Sequence, residues 1–371
     1  MAAMESTGSY WKPIYNIFEQ ENLAVIVCNA QHIKNVPGRK TDVNDAQWIA
    51  KCLSQGLLNP SFIPDREQRE LRELTRFRQS QIQERARNIN RLQKFLEGAN
   101  IKIGSWLSDI DGKSATQLLE LVIGKPDFTI DDVAARMHGG MKSSAEEIFL
   151  SLEGYMTPLQ RELFAHIMNI IRQQTSQIEK TDAMIKRSLN DNYKAAVAAL
   201  DVIPGIGEVS AEQIIAETGI DMSHFKNQHC LSKWAGVCPG NNESAGKRKT
   251  GKTPPGNKTL KSTLTQSAKS AKGNKKSFFS AQYNRLVSHR GKNRATMAVA
   301  HSILIAVFFV LSGYQFNDLG ADYYIQFNRE KKINSHIKQL SKLGAIVTIN
   351  YPDDSLGDGS RHPPVINVKT A

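Results

Sequence analysis

Two long stretches carry apolar residues at three- and four-residue spacing, and this feature constrains the fold more than any other. They cover residues 65–97 and 158–189, and the spacing predicts two long amphipathic helices. The first stripe contains Leu71, Leu74, Ile82, Ile89, Leu92 and Leu96, with the aliphatic stems of Arg78 and Arg85 in the gaps. The second contains Leu163, Ile167, Ile170, Ile178, Ile185 and Leu189, interrupted by Gln174 and Thr181. These polar interruptions fit an antiparallel helical hairpin, an oligomerising coiled coil or two core helices of a bundle.

The segment before the first long helix has the pattern of an α/β domain. A short strand ends near Glu5, a helix follows over 10–20, and Leu23–Cys28 is a continuous apolar run typical of a buried parallel strand. Thr41 is a suitable N-cap for a helix over 41–53. Short helices and loops are expected over 98–154.

The C-terminal part is predicted to be mostly helical. Two helices flank a tight turn at Pro204–Gly207, and a further helix is expected over 328–343. The apolar run Met297–Leu311 is shorter than a membrane span requires and contains polar residues, so it predicts a buried core helix. Residues 351–371 contain three prolines and no apolar periodicity, which predicts a disordered tail. The fold class expected for the whole chain is therefore mixed α/β and α.

The charge of the chain is concentrated in one segment. The sequence has 48 Lys and Arg against 36 Asp and Glu, a net charge of +12, yet Ser244–Arg294 alone contains 14 cations and no acid. This density is typical of a surface that neutralises phosphates, and Phe278, Phe279 and Tyr283 are interleaved with it. The four cysteines include no C-x-x-C pair, so a disulfide scaffold or zinc knuckle is excluded and a reduced, cytosolic protein is expected.

Three carboxylates could converge on a metal ion. Asp42 and Asp45 lie three residues apart on one predicted helix, and Glu5 ends a predicted strand. Oxygen ligands of this kind suit Mg²⁺, which also accepts phosphate oxygens. The alternative interpretation is an ordinary solvated helix start.

The glycines at the turn between two helices suggest a helix–hairpin–helix. Without a Cβ, Gly205 and Gly207 would let backbone N–H groups approach a DNA phosphate. The alternative is a glycine-rich connection that binds nothing.

A P-loop pattern occurs at Gly246–Thr253, with Lys252 at the lysine position. No strand is predicted upstream over Cys238–Ser244, and Pro254 and Pro255 oppose a helix immediately downstream. A P-loop NTPase is therefore only a remote alternative.

Several blocks together resemble the DEDD transposases of the Piv/MooV type, insertion-sequence recombinases described as bridge-RNA-guided. The residues similar to that family are Met4–Trp11, Lys40–Ala46, Trp234–Pro239 followed by Ser244, and Asp318–Tyr324. The resemblance covers essentially the whole chain in the family's order.

The resemblance implies a fold and a chemistry. Residues 1–64 would be the remnant of a RuvC-like (RNase H-like) domain whose first strands are missing. Residues 65–190 would be a long helical or coiled-coil region, and 191–350 a transposase C-terminal domain with the helix–hairpin–helix and the serine block. Ser244 would be the nucleophile that becomes linked to DNA, while Glu5, Asp42 and Asp45 would be three of the four acids that bind Mg²⁺. The residues expected to bind DNA are Gly205, Gly207, Lys247, Arg248, Lys249, Lys252, Lys258 and Lys261.

The resemblance also implies partners and a location. DNA, a guide RNA and further copies of the chain in a dimer or tetramer are expected, without a membrane, in the cytoplasm of a bacterial or archaeal cell. The family's first Asp lies upstream of the glutamate and has no counterpart before Glu5. A misassigned start or a truncated copy is therefore expected, and a nucleic-acid-binding relic without catalytic activity is the second hypothesis.

Overall fold

A computed structural model describes residues 1–30, 33, 45–107, 109–240, 242–244, 247–324, 334–335 and 337–339. At 45, 242–244 and 247–250 the description covers the backbone alone. The described residues form two compact units, an N-terminal unit of Met1–Arg69 with Ser223–Lys226 and a main unit of Glu70–Met222 with Asn227–Ala371. The three-domain division expected from the sequence stays a prediction. The tail 351–371 and nearly all of the helix predicted over 328–343 lie outside the described residues.

The N-terminal unit contains a small parallel sheet. Its elements in chain order are β1 (Ala2–Glu5), α1 (Trp11–Gln20), β2 (Val25–Cys28) and α2 (Asp45–Ser54). The strands pair in parallel with Ala2 opposite Val25 and Glu5 opposite Cys28. Because parallel strands require a crossover connection, α1 lies between them in the chain. The predicted strand–helix–strand order is thereby confirmed.

The core of the N-terminal unit is small. Cys28 from β2 and Cys52 from α2 are buried with Ile33 and Leu58, and Trp48 packs against them. This contact holds α2 against the sheet, and Asp45, one of the predicted acids, is the first residue of α2.

The main unit begins with a helical hairpin. Its two long helices are α3 (Arg66–Gly98, of which residues from 70 onward belong to this unit) and α7 (Pro158–Ser188), in close agreement with the predicted bounds. Among the described residues, four hydrogen-bonded side-chain pairs bridge them, Arg78 with Asp182, Arg85 with Thr175, Asn88 with Gln174, and Thr181 with Gln81. Since higher numbers on α3 pair with lower numbers on α7, the helices are antiparallel. The hairpin alternative is thus confirmed within a single chain.

A helical cap closes the far end of this hairpin. It contains α4 (Lys113–Gly124), α5 (Ile130–Ala134) and α6 (Ala145–Leu152). Capping boxes at Thr129, Ser144 and Thr157 accept hydrogen bonds from the first turns of α5, α6 and α7. These signals explain where the three helices begin. The fully buried residues of the cap and hairpin end include Leu96, Ile103, Leu118, Leu119, Ile148 and Phe164.

The predicted apolar stripe of α7 is wrong at one end. Leu163 is 48% exposed, whereas its neighbour Phe164 is fully buried and packs against Phe95 with ring centroids 5.7 Å apart. Apolar residues at 163 and 170 and at 164 and 171 satisfy the same helical spacing. The larger side chain at 164 fills the core, so the buried face is rotated by one residue.

The remaining helices of the main unit surround one apolar helix. They are α8 (Asp191–Asp201), α9 (Glu208–Thr218), α10 (Gln228–Ala235), α11 (Lys258–Ala271), α12 (Phe278–Arg290) and α13 (Lys292–Leu311). α13 is long and apolar enough to cross a membrane by length and composition. However, it packs against α8, α10, α11 and α12, and Val299, Ile303, Leu304 and Val307 are fully buried. These contacts identify α13 as a core helix.

A short hairpin interrupts the helices. β3 (Asn242–Ser244) pairs antiparallel with β4 (Lys247–Thr250). The expectation of no strand over Cys238–Ser244 is therefore wrong at its last three residues. Short polar strands have no apolar alternation, and only their pairing reveals them.

Candidate functional site

Ser244 lies at the end of β3 nearest the hairpin turn. Its Cα pairs with that of Lys247, and Glu243 pairs with Arg248 one step back along the strands. The register shifts between Asn242 and Glu243, which is typical of a β-bulge. The hairpin thus places a serine and a lysine opposite each other at its tip.

Close backbone contacts extend this hairpin well beyond the two strands. A Cβ added at Gly240 would overlap the carbonyl oxygen of Lys252, and one added at Gly236 would lie 3.0 Å from the backbone of Gly256. These partners continue the pairing of Asn242 with Thr250 in the same register. We call residues 236–256 the serine arm, with Gly236 and Gly256 at its base and Ser244 near its tip. Gly236 also has a φ of +73°, so two separate constraints require glycine there.

The helix after the serine arm presents lysines on one face. In α11, Leu260, Leu264 and Ala268 are fully buried, whereas Lys258, Lys269 and Lys272 on the opposite side are exposed. Lys261 lies between them and donates a hydrogen bond from Nζ to the hydroxyl of Thr253, 2.6 Å away. Their spacing places these four lysines on a single stripe about 20 Å long, at about 1.5 Å of rise per residue. Such a stripe has the geometry of a surface that follows a phosphate backbone.

The aromatic residues of the basic segment do not share this exposure. Phe278 is 7% exposed and Phe279 is 3% exposed, and both belong to the core. Tyr283 is half-buried, with the Lys272 ammonium 5.4 Å from its ring centroid. The interleaved phenylalanines are therefore core residues, and they offer no surface on which a base could stack.

Residues Asp318–Tyr324, which we call the signature block, lie against α12. The Asp318 carboxylate accepts hydrogen bonds from the backbone N–H of Phe278, 2.8 Å away, and of Gly320, 2.9 Å away. Tyr324 stacks on Phe278, and the Arg285 guanidinium lies 4.5 Å from the Tyr324 ring centroid. Burial raises the pKa of Tyr324, and the charge of Arg285 opposes this shift. The block thus fastens the first turn of α12 to the end of the described chain.

The two glycines of the turn between α8 and α9 have different environments. Gly205 has a φ of +93°, and a Cβ there would overlap the carbonyl oxygen of Ser267 and lie 2.7 Å from the Cβ of Ala271. Gly207 is exposed with a φ of −111°, and an added Cβ would meet nothing within 4 Å. Packing against α11 therefore accounts for Gly205, whereas Gly207 leaves the start of α9 open to solvent.

The predicted acidic residues are only partly described. Glu5 ends β1, and its carboxylate accepts a hydrogen bond from the Thr7 hydroxyl, 2.6 Å away. Asp45 is the first residue of α2, and Asp42 lies outside the described residues. Among the residues that are described, no group of three or more His, Cys, Asp or Glu side chains is arranged to hold a metal ion. The oxygen ligands of Glu5, Asp42 and Asp45 nevertheless have the chemistry that Mg²⁺ prefers.

The P-loop pattern does not have the geometry of a nucleotide site. A P-loop runs from a strand through a loop directly into a helix. Here β4 occupies Lys247–Thr250 in the middle of the pattern, and α11 begins only at Lys258, after both prolines. Lys252 is consequently two residues past a strand and six before a helix.

Buried ion pairs at α9 have no sequence signature. The Glu212 carboxylate is 2.5 Å from the guanidinium of Arg78, and Glu217 receives two hydrogen bonds from Arg76. Charged residues on a helix are normally exposed, so pattern reasoning places them in solvent. Asn257, which contacts Glu217 and stands directly before α11, does have a recognisable sequence signal, that of a helix N-cap.

Comparison with known proteins places this architecture in a class. Residues 1–101 match a family model described as the DEDD transposase of the IS110 type, and residues 197–284 match one described as the transposase IS116/IS110/IS902 family. No curated protein matched the chain. The second region contains the turn between α8 and α9, the whole serine arm and α11, and together the two regions cover just over half of the sequence.

The chain is therefore a transposase, a class of protein whose substrate is DNA. Within that class, it belongs to the IS110 family of DEDD transposases.

Proposed function

We propose that the protein cleaves and exchanges DNA strands of an insertion sequence with Ser244 as the nucleophile. In this reaction the serine oxygen forms a bond to the scissile phosphorus, the bond from phosphorus to the sugar oxygen breaks, and the sugar leaves as a hydroxyl that takes the proton. The phosphodiester energy is retained in the protein–DNA link. Attack by another sugar hydroxyl can therefore rejoin strands without an external energy source.

The observation that carries this proposal is the position of Ser244 on the serine arm. The residue lies at the hairpin tip opposite Lys247, within a matched transposase region. From Ser244 to Arg294 the sequence has 14 cations and no acid. A phosphate held by Lys247, Arg248, Lys249 and Lys252 would have its negative charge neutralised during attack. The lysine stripe of α11, including Lys258 and Lys261, would bind the flanking backbone.

Three carboxylates of the N-terminal unit are proposed to form a metal site. Glu5, Asp42 and Asp45 would hold a divalent metal ion, Mg²⁺, and DEDD transposases typically use such an ion. When bound, the ion would act as a Lewis acid toward a phosphate oxygen. The position of Glu5 at the carboxyl end of a parallel strand supports this role, because ligands of open α/β sheets bind at that edge. A RuvC-like identity for this unit belongs to the same proposal.

The turn at Gly205 and Gly207 is proposed to be a helix–hairpin–helix that contacts a DNA phosphate. The exposed Gly207 and the open start of α9 support this, since neighbouring backbone N–H groups at a helix start attract anions. We further propose that the protein works in the cytoplasm as a dimer or tetramer and that a guide RNA directs it. The basic surface of α11 is one candidate for contact with that RNA.

A covalent trapping experiment tests the nucleophile. The full chain is incubated with labelled insertion-sequence ends and Mg²⁺, denatured, and examined for label that migrates with the protein. We expect an adduct in the unaltered protein and in Ser270→Ala, a control at an exposed serine of α11, and none in Ser244→Ala. An adduct that persists in Ser244→Ala contradicts the assignment.

The same experiment distinguishes the second hypothesis. A nucleic-acid-binding relic would bind DNA with a steep dependence on salt but would form no adduct in any variant or with any divalent metal.

A further inference from the structure

We propose that Asn257 and Glu217 are positioning residues that fix the base of the serine arm and thereby aim Ser244 at its substrate. This inference rests on the proposed function, because it concerns the placement of the proposed nucleophile. Neither residue touches the hairpin tip, so both would act through the backbone of the arm.

Asn257 is the residue at which the serine arm joins α11. Its side-chain oxygen accepts a hydrogen bond from the N–H of Leu260, 3.1 Å away, and so caps α11. Its backbone N–H donates to the carbonyl of Trp234, 3.2 Å away, on the other side of the arm's base. Its side-chain amide donates to the Glu217 carboxylate, 2.6 Å away. One side chain thus ties together the arm, the helix that follows it and α9.

Glu217 is a rigid acceptor for that amide. Its side chain is fully buried, and Arg76 donates to its two carboxylate oxygens at 2.7 and 2.8 Å. Arg72 donates to the backbone carbonyls of Ala216 and Glu217 at 3.0 and 2.9 Å. A buried carboxylate held by a two-pronged arginine cannot rotate freely, because any other rotamer would leave charges unpaired. Asn257 is therefore held by a group that is itself fixed to the helical hairpin.

The length of the arm makes a firm base necessary. Eight residue steps separate Gly236 from Ser244, so the arm can reach at most about 26 Å, at about 3.3 Å of rise per residue. A rotation of about 10° at the base would then move the tip by up to about 4–5 Å. Misplacement of a reacting group by about 1 Å can already cost about a hundredfold in rate. A loosened base would therefore reduce the rate of attack by Ser244 without touching the serine.

The protein contains a matched control for this arrangement. Glu212 lies on the same helix as Glu217, is also buried, and also pairs with an arginine of α3, Arg78. Within the described part of the chain, Glu212 makes no hydrogen bond or ion pair to Asn257 or to the serine arm. Loss of the Glu212 pair should therefore weaken the attachment of α3 to α9 and leave the arm in place.

The test compares three variants of the full chain. Asn257→Ser keeps an N-cap of equal quality for α11 but is too short to reach Glu217. Glu217→Gln keeps the shape of the acceptor and removes its charge, and Glu212→Gln is the control. The measurements are the rate of protein–DNA adduct formation per folded molecule, DNA affinity at fixed salt, and backbone hydrogen exchange over 236–256.

We expect Asn257→Ser and Glu217→Gln to slow adduct formation at least tenfold, which corresponds to a loss of about 1.4 kcal/mol or more. DNA affinity should change by less than about threefold. Exchange of the arm's amides should become faster in both, whereas α13 should remain protected. Glu212→Gln should leave the adduct rate and the exchange of the arm unchanged. A normal adduct rate in Asn257→Ser, or an equal loss in Glu212→Gln, would overturn the positioning role.

Failure of the proposed function has a different outcome. If the unaltered protein forms no adduct, the assignment of Ser244 as nucleophile is refuted. Hydrogen exchange then still tests whether Asn257 and Glu217 hold the serine arm in place. Faster amide exchange of the arm in Asn257→Ser, without a change in the control Glu212→Gln, would support this positioning role. Unchanged exchange in Asn257→Ser would overturn it.

Discussion

Replacement of Gly205 by alanine tests the packing of the turn between α8 and α9. A φ of +93° disfavours any residue with a Cβ, which costs about 1–2 kcal/mol. The new Cβ would also overlap the carbonyl oxygen of Ser267 and crowd Ala271, and overpacking of this kind costs about 1–3 kcal/mol. After a gain of about 0.4–1 kcal/mol from the stiffer unfolded chain, Gly205→Ala should lower the free energy of unfolding by about 2–4 kcal/mol.

Gly207→Ala is the matched substitution two residues away. Its φ of −111° suits alanine, and the added Cβ meets nothing within 4 Å. Alanine is a clearly poorer N-cap than glycine, but it also stiffens the unfolded chain, which stabilises the fold by about 0.4–1 kcal/mol. The two effects oppose each other, so the free energy of unfolding should change by less than about 1 kcal/mol. However, a Cβ here would stand where a DNA phosphate is proposed to approach. Gly207→Ala should therefore weaken DNA binding while the fold stays stable.

Urea unfolding followed by circular dichroism measures the first effect, and fluorescence anisotropy with labelled DNA at fixed salt measures the second. Equal stabilities of Gly205→Ala and the unaltered protein would refute the packing argument. Unchanged DNA affinity in Gly207→Ala would refute the phosphate contact at this turn and leave the packing of Gly205 untouched.

Three further changes have defined outcomes. Arg78→Met leaves the buried Glu212 carboxylate unpaired and should lower the free energy of unfolding in urea by about 3–5 kcal/mol. The double variant with Glu212→Leu should regain most of this loss, and a double variant as unstable as the single one would contradict the prediction. Leu304→Ala should cost about 2–5 kcal/mol because the side chain is fully buried in α13, and a loss below about 1 kcal/mol would argue against a core position. The hydrogen bond from Lys125 lowers the pKa of Asp132 to about 2, so its stabilising effect on α5 should be complete above the ordinary value of 3.8 and disappear as the pH falls through 2. An NMR titration should show this midpoint, Lys125→Ala should raise it, and an unshifted midpoint in that variant would contradict the assignment.

The long helices were predictable because their signals are local. The predicted bounds of 65–97 and 158–189 differ by one residue from Arg66–Gly98 and, at its end, from Pro158–Ser188. Apolar spacing and the Thr157 cap are enough to define such helices. Which face is buried depends on packing partners far along the chain, and spacing alone therefore cannot show that Phe164 is buried and Leu163 exposed.

The polar interior of the hairpin could not be predicted for a related reason. Arg78 is 2% exposed because Glu212 and Asp182 neutralise it from two other helices. A charged residue within an apolar stripe is therefore expected to have its head group in water, until tertiary contacts supply its partners.

The residue types of the candidate site could be predicted from the sequence, but their arrangement in space could not. Ser244 and the basic segment after it could be recognised from the sequence, whereas the serine arm depends on pairing between residues such as Gly240 and Lys252, twelve positions apart. Nonlocal pairing of polar strands leaves no periodic trace. The same holds for Phe278, whose apolar partners come from the signature block near the end of the described chain.

The role of Ser244 as the nucleophile is tested most directly by locating the residue to which the DNA is linked. The trapped adduct is digested with nuclease and protease, and mass spectrometry identifies the peptide that retains a nucleotide. We expect a phosphodiester-linked nucleotide on Ser244, in the peptide from the tip of the serine arm. A nucleotide on any other residue would contradict it.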